Sequence, residues 1–252
     1  MTRKLAWLGA ALAVLATTAQ PALSQQADTP SAVDPAALQA LQRMSAYLGT
    51  LQAFEIQAAT SADIVLDDGQ KVQLTEDVVY KVRRPDGFVI ERTNAYKNRH
   101  LIYDGKQLTV FSPRTSYYGQ VPAPATIRQT LDLASDRYGI EIPLRDLFRW
   151  SEPGGGRVSD LKEGILVGPA RINGVDTDQY AFRDQGFDWQ IWIARGPEPT
   201  PRRIVIVDRS DEARPQFTAD LAWNVHPSFA PTTFAFQPPP GAKAIQVAAQ
   251  GQ

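Results

Sequence analysis

Residues 101–111 read Leu-Ile-Tyr-Asp-Gly-Lys-Gln-Leu-Thr-Val-Phe, and this stretch decides the fold. Apolar residues on both sides of Asp104-Gly105-Lys106 form two short β-strand patterns, and an Asp-Gly pair is a strong signal for a tight hairpin turn. Strands joined by so short a turn run antiparallel, because a parallel crossover needs a dozen or more residues. The stretch therefore predicts one hairpin of an antiparallel meander.

The same alternating pattern continues on both sides of this hairpin. Upstream, strand patterns run from 54 to 92 and are separated by the turn sequences Asp67-Asp68-Gly69 and Pro85-Asp86-Gly87. Downstream, a second set runs from 165 to 223 and includes a strict apolar alternation between Phe187 and Ile193. The sequence therefore predicts a mainly β (α+β) fold, with one large, strongly curved antiparallel sheet of about eleven strands.

Helical patterns precede the first meander and separate it from the second. Asp34 is suited to an N-cap and Pro35 to the first helical position. The apolar residues that follow recur at steps of three and four: Leu38, Leu41, Met44, Leu48 and Leu51. Between the meanders, Thr126 and Gly139 fit the start and stop of a second helix, and residues 143–150 predict a short third one. We expect the N-terminal helix and this central insert to cover the concave face of the sheet.

The N-terminus has the pattern of a cleavable signal peptide. Arg3 and Lys4 precede an apolar run over residues 5–16, which is too short to span a bilayer, and Ala22-Leu23-Ser24 fits a small-x-small cleavage site. We therefore expect a signal peptide (1–24), a flexible leader (25–33), a single domain (34–242) and a disordered tail (243–252). The mature protein is expected in the periplasm, soluble and without a stable membrane anchor.

Composition argues against several classes of function. The chain has no cysteine, so it has no disulfide, thiolate metal site, cysteine nucleophile or lipid-attachment cysteine. The formal net charge is −1, so the chain lacks the excess of positive charge that is typical of nucleic-acid-binding proteins. The two histidines, His100 and His226, belong to different meanders, and no Gly-x-Ser-x-Gly or metal-binding spacing occurs. We expect no catalytic residue, no metal and no cofactor, because a hydrolase would need a nucleophile–base pair that the sequence does not show.

Aromatic and large aliphatic residues recur on the alternating strands. Each of them fits an ordinary core, but together they exceed what a few short helices fill, which predicts a lipid-sized apolar cavity. An acyl chain of about sixteen carbons carries roughly 12 kcal/mol of transfer free energy out of water. The expected ligand-binding wall consists of Tyr80, Phe88, Ile90, Tyr103, Phe182, Trp189, Ile191, Leu221 and Trp223.

Several of these stretches together resemble a known family. The runs 103–111, Tyr117-Tyr118 and 142–147 (Ile-Pro-Leu-Arg-Asp-Leu) resemble the DUF2092 family of predicted periplasmic proteins. The strand sequences 189–193 and 201–206, and the C-terminal stretch from Trp223 to Ala242 with its Phe234-Ala235-Phe236, are similar to the wider LolA/LolB/RseB-like superfamily. The resemblance covers about Asp34 to Ala242. It implies a half-open antiparallel β-barrel whose helices cover an apolar cavity.

Two functions follow as expectations from the residues and this resemblance. The first is a non-catalytic periplasmic binding protein or carrier, whose partner is a lipid or an acylated lipoprotein held by shape and dispersion. The alternative is an envelope sensor or assembly module that uses the same fold to dock a protein partner. A closed, solid core with an exposed apolar patch elsewhere would favour the alternative.

Overall fold

The computed structural model describes residues 33–150 and 161–249, in which one large sheet packs against three helices. The helices are α1 (Pro35–Thr50), α2 (Ile127–Tyr138) and α3 (Arg145–Trp150). The strands, numbered along the chain, are β1 (Ala53–Val65), β2 (Lys71–Arg83), β3 (Gly87–Thr93), β4 (Asn98–Tyr103), β5 (Gln107–Ser112), β6 (Tyr117–Pro122), β7 (Glu163–Ile172), β8 (Val175–Arg183), β9 (Phe187–Ala194), β10 (Pro201–Asp208), β11 (Gln216–Asn224) and β12 (Lys243–Ala244).

The strand order is β12-β6-β5-β4-β3-β2-β1-β11-β10-β9-β8-β7. Two meanders, β1–β6 and β7–β11, join where β1 pairs antiparallel with β11. The strands β12 and β7 form the two ends of the sheet, which is therefore open. This confirms the predicted mainly β fold, with eleven antiparallel strands and a two-residue twelfth that is parallel to β6.

The helix boundaries follow from local backbone chemistry. The Asp34 carboxylate accepts a hydrogen bond from the backbone N–H of Ala36 at 2.8 Å, and Pro35 occupies the first turn of α1. Thr126 caps α2 through the N–H of Gln129, and Gly139 ends this helix in the left-handed conformation at φ +61°. The predicted start of α1 and both ends of α2 are therefore confirmed.

The helices share one face of the sheet, which we call the helix-side face. Alternate residues of the central strands, such as Ile56, Ala58, Val78 and Tyr80, belong to a single buried cluster together with apolar residues of all three helices. The strands β1 and β2 are 13 residues long, about twice the length of β3–β6. Their hairpin therefore extends the helix-side face beyond the core.

The C-terminal segment packs on the first meander, whereas the sequence predicts a disordered tail from residue 243. Lys243 N–H donates to Ser116 O and Ile245 N–H to Tyr118 O, each at 2.8 Å, which adds β12 to the sheet. Phe234 is buried against Gly87, and the Arg83 guanidinium lies 4.7 Å from the centre of its ring. The side chains that receive this segment are far away in sequence, and composition therefore gives no sign of the packing.

Some predictions lie outside the described residues. The signal peptide and the leader up to residue 32 are among them. Within the residues that are described, no helix has the length and apolar character required to cross a membrane.

The packing of the C-terminal segment on β6 predicts the effect of substituting Gly119. A Cβ atom at this position would clash with Cγ2 of Val247, so Gly119→Ala should lower the free energy of unfolding by about 1–3 kcal/mol. The same substitution should cost less in a Val247→Ala chain, because alanine lacks the Cγ2 atom. Urea unfolding of the wild type, the two single variants and the double variant forms a double-mutant cycle, which measures the coupling between positions 119 and 247.

Gly186→Ala is the matched control, because a Cβ there meets no heavy atom within 4 Å. If Gly119→Ala lowers the free energy of unfolding equally in the wild type and in the Val247→Ala chain, the observed packing is contradicted.

Candidate functional site: the helix-covered apolar face

The structure brings the nine predicted wall residues together in one apolar cluster on the helix-side face. Seven of them are buried, and Trp189 and Trp223 are partly buried at its margin. They share this face because successive side chains of a strand point to opposite sides of the sheet. The alternation that predicts the strands therefore also places these residues on a common surface.

The first half of the wall lies on β2, β3 and β4. Tyr80 is opposite Ile90, and Phe88 is opposite Tyr103, whose ring centre is 5.3 Å away. All four side chains are at most 1% exposed. They form the floor beneath α2 and the connection from α2 to α3.

The second half lies on β8 and β9, and it carries a stack of three aromatic rings. Phe182 and Trp189 are cross-strand neighbours with ring centres 4.4 Å apart. Trp150, the last residue of α3, stacks on Trp189 at 5.7 Å. Leu221 and Trp223 on β11 lie between the two halves. The end of α3 is thus packed directly on the wall.

Two aromatic residues that the sequence did not assign to the wall connect its halves. Phe54 on β1 contacts Trp223, with ring centres 5.5 Å apart, and Phe148 of α3, at 6.3 Å. Phe148 also reaches Tyr80 at 6.1 Å. The strand alternation that includes Phe54 could have assigned this residue to the wall. No pattern in the sequence could have assigned Phe148, because its position depends on how the insert folds back on the sheet.

Side-chain donors from the sheet and from α1 bind backbone carbonyls of the helical insert. The Tyr80 hydroxyl donates to Pro143 O at 2.7 Å, and the Tyr103 hydroxyl donates to Pro124 O at 2.6 Å. Arg92, which is ion-paired with Glu76, donates to Glu141 O at 2.7 Å. Ser45 of α1 donates to Trp150 O. These hydrogen bonds hold the insert over the wall by non-covalent contacts alone.

Burial changes the ionisation of the tyrosines in this wall. Desolvation raises the pKa of Tyr80 well above its ordinary value, and it raises the pKa of Tyr103 as well. Both phenols therefore remain neutral hydrogen-bond donors at any physiological pH. They can orient a carbonyl, but they supply no charge.

The helices occupy the space in front of the wall. One open groove of about 710 Å³ lies between the C-terminal end of α1 and the loops that carry Glu198 and His226. A second groove of about 620 Å³ lies over β1–β3 and β11 and is lined by polar residues such as Ser61, Thr75 and Thr218. None of the nine wall residues lines either groove. A ligand on the wall therefore has to replace helix contacts.

The histidines and acidic residues do not meet at a common centre. His100 packs edge-on against Phe111 at 6.0 Å, and its burial lowers its pKa. His226 Nε2 lies 3.9 Å from the Glu198 carboxylate at the edge of the larger groove. In residues 33–150 and 161–249, no three His, Asp or Glu side chains are placed to hold a metal ion.

Several aspartates bind backbone N–H groups in turns. Asp184 accepts from Gly186 N–H at 3.0 Å, and Asp208 accepts from Ser210 N–H at 2.8 Å. Asp188 differs, because it lies within β9 and is ion-paired with Arg183.

Comparison with known proteins identifies the family. The profile of predicted periplasmic proteins named DUF2092 matches residues 37–248, from α1 to beyond β12. The chain belongs to the DUF2092 family. This confirms the resemblance read from the sequence, and the family description agrees with the predicted periplasmic location. No curated protein matches this DUF2092 chain significantly.

Several solved structures of low sequence identity align with most of the chain. An uncharacterised conserved protein from Thermus thermophilus is 13% identical, with 84% of this chain and 99% of that chain covered, at a TM-score of 0.47. LprF from Mycobacterium bovis is 14% identical (79% and 97% covered, TM-score 0.48). A LolA superfamily protein from Nitrosomonas europaea is 12% identical (79% and 97% covered, TM-score 0.39).

The tyrosine–carbonyl bonds predict how firmly the insert is held. Tyr80→Phe and Tyr103→Phe should each lower the free energy of unfolding by about 1–2 kcal/mol, because a partly buried proline carbonyl loses a hydrogen-bond donor. Hydrogen exchange should be faster in α2 and α3 but unchanged in β8–β11. Tyr96→Phe is the control, because that side chain is 77% exposed. Uniform acceleration across the sheet would contradict a local role.

The raised pKa of Tyr80 predicts a loss of stability at alkaline pH. The unfolded chain ionises this phenol near its ordinary pKa of 10.0, whereas the folded protein keeps it neutral. Its contribution is therefore complete below pH about 10 and falls as the pH rises further. The Tyr80→Phe variant should lose less stability than the wild type in urea unfolding between pH about 9 and about 11.5. Parallel curves for the two proteins would refute this assignment.

Proposed function

We propose that this DUF2092 protein is a non-catalytic periplasmic binding protein that holds a lipid or acylated ligand against the nine-residue wall. The observation that carries the proposal is that the wall is covered by a helical insert, and that the insert is fixed by hydrogen bonds to its backbone carbonyls. Such a cover can move away without breaking the sheet. The described arrangement is then the closed one.

The energetics support an exchange of this kind. When the insert lifts, it exposes apolar surface on the wall, which costs about 25 cal/mol per Å². An acyl chain that takes its place returns much of this free energy, because each buried methylene contributes about 0.8 kcal/mol. The ligand acts by shape and dispersion, in keeping with a wall made of aromatic and aliphatic side chains.

This proposal predicts that weakening the insert strengthens ligand binding. If only the open state binds, the apparent dissociation constant falls as the open fraction rises. Tyr80→Phe/Tyr103→Phe should therefore bind a fluorescent fatty acid about tenfold more tightly for each 1.4 kcal/mol removed from the closed state. Tyr96→Phe should bind as the wild type does. Bound lipid should also appear by mass spectrometry in an organic extract of the purified protein.

Tryptophan emission supplies an independent readout of the same movement. Trp150 and Trp189 are stacked in the closed state, so a displaced α3 should change their fluorescence when the fatty acid binds. The change should disappear in Trp150→Phe. Absence of lipid in the extract together with absence of fatty-acid binding by the wild type would refute the proposed function.

A second candidate function rests on a different observation. Ile165, Leu166 and Val167 on β7, the strand at one end of the sheet, are each 44–51% exposed. With a wall that the helices fill, this patch favours an envelope sensor or assembly module that docks a protein partner. Recovery of one stoichiometric partner from envelope extract, lost in Ile165→Asp/Val167→Asp while the protein stays free of lipid, would favour this alternative.

A further inference from the structure

The helix-side face continues past the helices along the β1–β2 hairpin. Ile56 and Ala58 on β1 are buried, but farther along the same alternation Ala62 is only half-buried and Ile64 is 44% exposed. On the partner strand β2, Leu74 is 47% exposed. Large apolar side chains on the core side of a sheet are normally covered. This end of the face therefore calls for an explanation beyond folding.

Strand register connects these residues to the wall. Leu74 is opposite Ala62, which is opposite Phe217; Phe217 is opposite Ile206, which is opposite Trp189; and Trp189 is opposite Phe182. We call this line the apolar row, consisting of Leu74, Ala62, Phe217, Ile206, Trp189 and Phe182. It crosses six neighbouring strands without a polar side chain. At about 4.8 Å per strand, its five steps span about 24 Å.

The row leads from solvent into the core. Leu74 is exposed, Phe217 and Ile206 are half-buried, and Phe182 is 4% exposed. Between them, Trp189 lies under the ring of Trp150 at the end of α3. The row thus passes under the helical insert at the stack of three rings. A molecule that follows it arrives at the wall.

The shape of the row selects among apolar occupants. On β2 the next residue of the same face toward the core is Glu76, ion-paired with Arg92, and on β10 the next one toward the strand end is Asp208. These two carboxylates lie on opposite sides of the row, and each is two residues, or about 7 Å, from it along its strand. The row crosses the strands, whereas an added strand would pair along an edge. An extended acyl chain, the ligand of the proposed function, fits a line of single apolar side chains with a carboxylate on each side.

We infer that the apolar row is the path by which a single acyl chain reaches the helix-covered wall. Ala62 is the residue with the smallest side chain along this path. This inference rests on the proposed function and adds the route and its residues. Ala62 has the smallest side chain of the row and lies between the larger Leu74 and Phe217. A large side chain at this position would obstruct the path while the wall itself remained unchanged.

The test compares two tryptophan substitutions on opposite faces of β1. Ala62→Trp should slow the uptake of a fluorescent fatty acid about tenfold in stopped-flow mixing, and should slow release as well, so that the dissociation constant changes little. Ala59→Trp is the matched control, because Ala59 is exposed and lines the polar groove on the other face. It should leave both rates within about twofold of the wild type.

A second pair of variants keeps the test decisive if Ala62→Trp fails to fold. Leu74→Asp places a charge at the exposed start of the row, and Thr75→Asp places the same charge on the other face of β2. Only Leu74→Asp should slow uptake, and thermal unfolding should be similar for both.

The possible outcomes distinguish the proposed path from the proposed lipid-binding function. Slow uptake in Ala62→Trp or Leu74→Asp, but not in their controls, supports the path. If the wild type binds the fatty acid and all variants take it up equally fast, the path is wrong and the proposed function stands. A wild type that binds no fatty acid overturns both.

Discussion

The antiparallel pairing of β1 with β11 is the contact on which the rest of the structure depends. It joins residues 55–62 to residues 217–224 and turns two separate meanders into one continuous sheet. Only a sheet of this width presents an apolar face that needs α1 and the insert together to cover it. The wall and the apolar row both include residues from the two sides of this pairing.

A consequence of this arrangement is that the core and the candidate site are the same surface. Tyr80, Tyr103 and Ile191 are as buried as any core residue, yet the covering element is a short helical insert fixed by hydrogen bonds to its carbonyls. A core covered in this way can exchange one apolar partner for another at modest cost. Under the proposed function, stability and ligand binding therefore depend on the same contacts.

Local chemistry made much of the fold predictable. Asp34, Pro35, Thr126 and Gly139 set helix ends because their side chains or backbone angles satisfy the free groups of a helix terminus, which needs only neighbouring residues. The common face of the nine residues proposed for the wall was predictable, because a period of two puts them on one side of the sheet. The C-terminal packing was missed, since the contact between Gly119 and Val247 depends on an approach of distant segments.

The sequence by itself determined the strands, the turns, the helix caps and the apolar character of one face, because these depend on the order of neighbouring residues. Only the tertiary structure decided which residues of different strands meet. The row from Leu74 to Phe182 exists because five pairing registers add up across six strands, and no local pattern specifies such a sum. The position of Trp150 on Trp189 was likewise decided by how the insert folds back over the sheet.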